Sequence, residues 1–195
     1  MGTIVTLVIL AAIVLYAIGM YNNLVNSRNR VRNAFSQIDV QLTRRYDLIP
    51  NLIEAVKGYM SHERGTLEAV ITARNLASAG LKKAAADPMD PEAMKALAAA
   101  ETSLGGTLGR LFALAEAYPD LKASQNMQQF QEELTSTENK VAFARQAFND
   151  SVLGYNNACQ NFPGNLLANN FGFKPAEYLE IEQPEKRAVP KVSFN

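Results

Sequence analysis

His62 and Glu63 hold the most chemical promise in this chain, because adjacent His and Glu open the H-E-x-x-H helix motif of zinc hydrolases. The residues that follow are Arg64, Gly65 and Thr66, and the chain contains no second histidine. A zinc site here would depend almost wholly on carboxylates, which is not how zinc is usually held. His62 therefore reads as a surface or capping residue near a bend. Cys159 is the single cysteine, so no intramolecular disulfide can form. It has no histidine near it in sequence and lies beside a row of small helical residues, the setting of a buried structural thiol. Gly105-Gly106-Thr107-Leu108-Gly109 falls inside a helical pattern, and neither a G-x-x-x-x-G-K-[ST] loop nor a G-x-G-x-x-G after a strand occurs. These glycines read as places where another backbone approaches closely. No set of nucleophile, base and oxyanion donors can be assembled, so the expectation is a protein with no catalytic activity, cofactor or metal.

Charge is the next chemical resource. The formal net charge of the 195 residues is zero, which gives the whole chain no bias toward nucleic acid or acidic ligands. Between Tyr21 and Tyr46, however, there are five arginines (Arg28, Arg30, Arg32, Arg44, Arg45) and one acid, Asp39. Arg28, Arg30 and Arg32 lack the interleaved aromatic platform of a single-strand binder. Their nearer partners are anionic lipid headgroups, and they serve equally well as a topology signal alone.

The element that positions these arginines is the apolar stretch Thr3 to Met20, which carries no charge. As a helix at about 1.5 Å per residue it spans roughly 27 Å, enough to cross a bilayer's hydrocarbon core. A cleaved secretory signal would need a basic segment before the apolar run, which is missing, and a better cleavage site than Ala17-Ile18-Gly19. A retained single-pass anchor over residues 1–21 is expected. Basic residues next to a span mark the cytoplasmic side, which predicts a short N-terminus outside and the remaining chain in the cytoplasm.

That remainder is helical in pattern, with no sustained alternation of period two. In the first segment, Phe35, Leu42, Ile49 and Val56 form one row. Val31, Ile38, Leu52 and Tyr59 form another, interrupted only by Arg45. Pro50 lies inside this pattern and predicts a kink or local tightening. A break is expected near residue 60, with Ser61 as N-cap of a second helix to about Gly80 and a loose linker over Lys82 to Met89. Asp90-Pro91 opens a third helix, with rows Leu97, Leu104, Leu111, Tyr118 and Met94, Glu101, Leu108, Ala115. Tyr118-Pro119-Asp120 turns into a long last helix from about Leu121 to Asn161. Its bulky row is Met127, Leu134, Val141, Phe148, Tyr155 and Phe162, beside the smaller row Phe130, Thr137, Ala144, Ser151 and Ala158. The fold class is all-α: an N-terminal transmembrane helix followed by an antiparallel up-and-down bundle of three to four long helices over residues 22–162. Residues 163–195 form a tail, apolar first and then, through Pro184 and Pro190, extended or disordered.

Antiparallel pairing of the first and last helices, with Asn23 facing Asn161, brings Arg45 level with Glu138 and Asp39 level with Arg145. Pairing the third and last helices brings Glu101 to the same height as Glu138. Arg45 is thus expected to be partly buried and to bridge Glu101 and Glu138, fixing register more than adding stability. The same geometry returns Phe162, Leu166, Leu167, Phe171 and Phe173 to the membrane end. There they either cap the bundle or sit in the interface, capping being the commoner fate of such a cluster.

Several blocks match a known family. Ile38-Asp39-Val40-Gln41-Leu42, Arg44-Arg45, Asp47-Leu48-Ile49-Pro50-Asn51-Leu52, Val56-Lys57-Gly58-Tyr59 and His62-Glu63 resemble the LemA family of bacterial membrane proteins. So do Tyr118-Pro119-Asp120-Leu121-Lys122-Ala123, Tyr155-Asn156-Asn157, Phe162-Pro163 and Phe171-Gly172-Phe173, while Phe35 stands where another aromatic, often Trp, is usual. The resemblance spans essentially the whole chain and implies a single-pass anchor carrying a helical cytoplasmic domain in a bacterial cytoplasmic membrane. It implies no reaction, since the family has no agreed activity; one branch belongs to magnetosome membranes, and some members are encoded beside membrane proteases. Arg44, Asp47, Asn51 and Lys57 lie in the matching block and offer polar groups on a rigid rod, the expected interaction face. The expected function is a scaffold or adaptor, self-assembling at the membrane. The alternative is a regulatory partner of a membrane protease or envelope-stress pathway. A homo-oligomer or a membrane-protein partner is expected, and no nucleic acid.

Overall fold

The computed structural model describes residues 1–181, and all regular structure among them is helical. The helices are α1 (Gly2–Lys57), α2 (Arg64–Ala86), α3 (Pro91–Ala115), α4 (Pro119–Lys122), α5 (Gln125–Gln160) and α6 (Gly164–Asn170). α1, α2, α3 and α5 make an up-down-up-down bundle. α5 runs against α1 along most of the part of α1 that follows the apolar run, α2 pairs with α3, and α2 also packs on α1.

α1 is one unbroken helix that joins the apolar run to the bundle. Its first part is exposed on all sides, with the large apolar side chains from Ile4 to Ile18 all more than half exposed. That is what an all-round apolar helix requires of a surrounding apolar phase. It is long and apolar enough to cross a membrane. From Leu24 onward the pattern narrows to a stripe, and Val31, Phe35, Ile38, Leu42, Ile49, Leu52 and Val56 are all buried. Facing them from α5 are Met127, Leu134, Val141, Phe148 and Tyr155. The rings of Phe35 and Phe148 meet edge to face at 5.7 Å, an arrangement favoured by aromatic quadrupoles. Tyr59 and Phe162, the last members of two of the rows, are instead exposed, because each lies beyond the end of its helix.

Pro50 stays inside α1. Proline has no N–H to give to the carbonyl four residues back, so the Tyr46 carbonyl needs another donor. Arg74 of α2 supplies it, its Nε donating to Tyr46 O at 3.1 Å. The defect in one helix thereby becomes a tie to its neighbour.

Several expected boundaries move. α2 begins at Arg64 and Ser61 does not cap it; the N-cap position is Glu63, without a side-chain cap bond. Glu63 instead accepts from the Tyr118 hydroxyl at 3.3 Å, linking the two turns at this end of the bundle. The linker is shorter than Lys82 to Met89, because α2 continues to Ala86 with Leu81 and Ala84 in the core. Asp87 accepts from Met89 N–H, and Asp90 caps α3 by accepting from Glu92 N–H at 3.0 Å. The last long helix is preceded by a separate turn, α4, which Pro119 starts and Ala123-Ser124 ends. The glycine reading is also corrected. A Cβ at Gly105, Gly106 or Gly109 would meet nothing within 4 Å, whereas one at Gly80 would lie 3.4 Å from Leu97 Cα. Close approach of helices happens at Gly80, between α2 and α3.

Candidate functional site

Two places combine unusual chemistry with defined geometry: a charged layer in the middle of the bundle and the end of the bundle nearest the apolar run. In the middle layer, the second interior row of α1 (Val31, Ile38, Leu52) arrives at Arg45, one position from the buried Tyr46. Arg45 Nη1 donates to Glu101 Oε2 at 3.0 Å and Nη2 to Glu138 Oε1 at 3.3 Å. The Tyr46 hydroxyl donates to the other Glu101 oxygen. Glu101 is 1% exposed and Arg45 6%, while the Glu138 side chain is half in solvent. The structure thus brings Arg45, Glu101 and Glu138 together across three helices and adds Tyr46, which sequence reasoning missed. Its phenol falls one position off the interior rows, so the apolar pattern gave no signal for it.

Burial pushes the Glu101 carboxyl above its ordinary range, against the lowering pulls of Arg45 and of the Tyr46 hydrogen bond. Burial, followed by the field of Glu101, drives the Tyr46 phenol far upward, so it remains a donor. The layer is buried at Arg45, Tyr46 and Glu101 and opens to solvent at Glu138. It can hold three helices in one register, which is the best-attested use of buried polar groups.

The Asp39–Arg145 pairing does not form. Arg145 donates to the Ile181 carbonyl at 3.4 Å, because the chain after α6 folds back along α5 and occupies its reach. Asp39 lies in a shallow groove with Arg32, Ser36 and Pro88. Of the polar face, Arg44, Asp47 and Asn51 are exposed on one stripe of α1. Lys57 is exposed too, but six residues past Asn51 at about 100° per residue it points roughly 120° away. Asp47 lies 3.8 Å from Arg74 and Lys57 3.5 Å from Glu54. His62 is exposed in the turn between α1 and α2, and among the described residues no three His, Cys, Asp or Glu side chains gather in one metal-sized group.

At the other end, α5 finishes level with the start of the bundle, and α6 packs against both α5 and α1. α6 closes with Phe171 N–H on Leu167 O and Phe173 N–H on Ala168 O, both 2.9 Å. Gly172, at φ 72°, supplies the left-handed residue that this ending needs. The turn splits the aromatic pair: Phe173 is buried and Phe171 is 61% exposed. Leu167 is half-buried, while Phe162 and Leu166 are exposed. The five residues therefore divide, with Phe173 and Leu167 packed on the bundle and Phe162, Leu166 and Phe171 facing out. Tyr21 stacks edgewise on Phe171 at 5.1 Å and on Phe173 at 5.7 Å. The Arg28 guanidinium stands 5.1 Å from the Phe173 ring centroid, while Arg30 and Arg32 are exposed, Arg32 being 3.6 Å from Asp87. Cys159 is buried nearby, and burial pushes its thiol up, away from the reactive thiolate.

Beyond Gly172 the chain runs back along α5, burying Phe173, Ala176 and Leu179, every third residue as in a polyproline II path. Asparagines hold it. Asn156 accepts from Ala176 N–H and donates to Ala176 O, and Asn149 does the same with Leu179. Tyr155 donates its hydroxyl to Lys174 O at 2.9 Å. Residues 163–181 thus pack with the bundle; the part of the expected extended tail with Pro184 and Pro190 lies outside the described residues.

Comparison with known proteins gives the family. The model of the LemA family matches residues 34–194. Magnetosome protein MamQ of Magnetospirillum gryphiswaldense is 37% identical over 95 residues, covering 49% of this chain and 35% of that protein. Magnetosome protein MamQ 2 of Paramagnetospirillum magneticum is 36% identical over 90 residues, 46% of this chain and 33% of that protein. The chain therefore spans about a third of the length of these magnetosome relatives. Protein LemA of Metamycoplasma hominis is 27% identical over 169 residues, 87% of this chain and 73% of that protein. This chain belongs to the LemA family.

Proposed function

We propose that this chain is a membrane-anchored helical scaffold or adaptor without catalytic activity. It stands in a bacterial cytoplasmic membrane as a single-pass protein, with its short N-terminus outside and its bundle in the cytoplasm. The observation that carries the reading is the continuity of α1, whose bare apolar part passes without a break into the core of the bundle. Arg28, Arg30 and Arg32 directly after the span support the orientation through the preference of basic residues for the cytoplasmic side. The exposed stripe of Arg44, Asp47 and Asn51 suits a docking face, since it sits on a helix whose opposite side is locked in the core. Self-assembly is the simplest use of such a rod.

Purification of the full chain in mild detergent, followed by native mass measurement, tests this. A defined homo-oligomer without stoichiometric partners supports the scaffold. A monomer that co-purifies with a membrane protease replaces it by a regulatory role at that protease.

A further inference from the structure

The apolar residues that the bundle leaves uncovered at its membrane end have a common height. Tyr21 follows the last residue of the uncharged run, and its ring touches Phe171. Phe162 follows α5, whose end lies beside the beginning of the bundle part of α1. Leu166 is on α6, which packs on that same stretch. Phe162 is 80% exposed, Leu166 56% and Phe171 61%, although Phe173, Ala168 and Leu24 at the same end of the bundle are buried. A bundle that needed these three side chains for its own core would have turned them inward. Instead Gly172 takes a left-handed backbone that sends Phe173 in and Phe171 out.

The geometry points to a second membrane contact: Phe162, Leu166 and Phe171 form a foot that enters the boundary between headgroups and acyl chains of the same bilayer that holds the anchor. The occupant follows from continuity, because Phe171 of the foot meets the ring of Tyr21 at 5.1 Å, directly after the last residue of the apolar run. Aromatic side chains favour that boundary, and an apolar face lying in it reaches about 5–10 Å into the bilayer. The Arg28 guanidinium over Phe173 then sits at the level of lipid phosphates. A foot beside a single anchor fixes how the domain stands, since one span alone leaves it free to turn about its axis and to tilt.

This inference rests on the reading of residues 3–20 as a membrane span, and the test separates the two. The chain contains no tryptophan, so single substitutions report cleanly. Leu10→Trp reports the anchor; Phe171→Trp and Phe162→Trp report the foot; Phe143→Trp, exposed midway along α5, reports water. Each full-length variant is reconstituted into phosphatidylcholine–phosphatidylglycerol vesicles, with and without brominated acyl chains. The expected result is blue-shifted emission at both foot positions and bromine quenching at least about twofold greater than at Phe143→Trp, with Leu10→Trp quenched as well. Quenching of Leu10→Trp with both foot reporters behaving like Phe143→Trp overturns the foot and leaves the anchor. A blue shift without quenching overturns it too, because the foot would then be covered by protein. Absence of quenching at Leu10→Trp overturns the span and the foot together. Phe162→Trp guards against a packing fault, since among the described residues Phe162 has no aromatic partner to lose.

Discussion

The tie between Pro50 and Arg74 makes a quantitative prediction. In the native chain the Tyr46 carbonyl has no helical donor, and Arg74 Nε at 3.1 Å supplies the hydrogen bond. Arg74→Met removes that donor while keeping much of the apolar stem. Leaving a buried carbonyl unsatisfied costs about 1–3 kcal/mol, and the lower half of that range applies because this bond is only partly buried. Loss of the 3.8 Å contact with Asp47, which is mostly solvated, adds about 0–1 kcal/mol. Arg74→Met should therefore destabilise the protein by about 1–3 kcal/mol. Pro50→Ala restores the helical N–H, so the Tyr46 carbonyl no longer depends on α2. In that background Arg74→Met should cost only the ion-pair part, about 0–1 kcal/mol. The coupling in the cycle is then about 1 kcal/mol or more, well above the few tenths by which independent sites depart from additivity. Guanidinium unfolding of the four full-length proteins in detergent, followed by circular dichroism, measures it. An equal cost of Arg74→Met in both backgrounds would refute the argument.

Three further outcomes follow from the geometry. Arg45→Met leaves Glu101 buried without its cation and should cost about 3–5 kcal/mol, whereas the double variant Arg45→Met/Glu101→Gln should cost less than the sum of the singles; additive melting shifts would sink the pairing. Because burial raises the Glu101 carboxyl in the folded state, the native protein binds more protons than the unfolded chain just above the unfolded value of about 4.3. The contribution of this group is thus complete below that pH and is lost as pH rises through the higher folded value, and Glu101→Gln should flatten that part of a denaturation-versus-pH curve. Finally, Gly164→Ala would place a Cβ 2.4 Å from the Ala158 carbonyl and should destabilise by over about 2 kcal/mol, whereas Gly105→Ala, in open space on a helix, should stabilise by about 0.5–1 kcal/mol; thermal melts that rank the two alike would contradict this.

Some of this structure can be read directly in the residues, and the reason is periodicity. Phe35 and Phe148, or Arg45 and Glu138, face one another because two long helices with apolar rows of the same spacing have few ways to align. Local chemistry was equally legible at Asp90-Pro91, where the carboxylate and the ring each satisfy a demand of the helix start. What stayed hidden depends on three-dimensional neighbours. Nothing in the spacing of Arg74 reveals that it serves the Tyr46 carbonyl, since the demand arises from Pro50 on another helix. Gly80 looks no different in sequence from Gly105, and only the approach of Leu97 separates them. The seat of residues 173–181 rests on Asn149 and Asn156, polar residues that a hydrophobic pattern assigns to solvent. Among the polar face residues, the stripe of Arg44, Asp47 and Asn51 follows from helical geometry, and the same geometry sets Lys57 aside.

The unbroken course of α1 makes the apolar run and the bundle a single lever. Its 56 residues extend about 84 Å, and the part from Tyr21 to Lys57, beyond the apolar run, accounts for about 55 Å of that. A span answers a change in bilayer thickness by tilting. With no flexible joint at the water boundary, a tilt of about 10° would carry the far end of the bundle sideways by roughly 10 Å. The rod thereby turns a property of the lipid into a displacement at the two turns that hold Met60 and Tyr118, and an inserted pair of glycines after Tyr21 would disconnect the two.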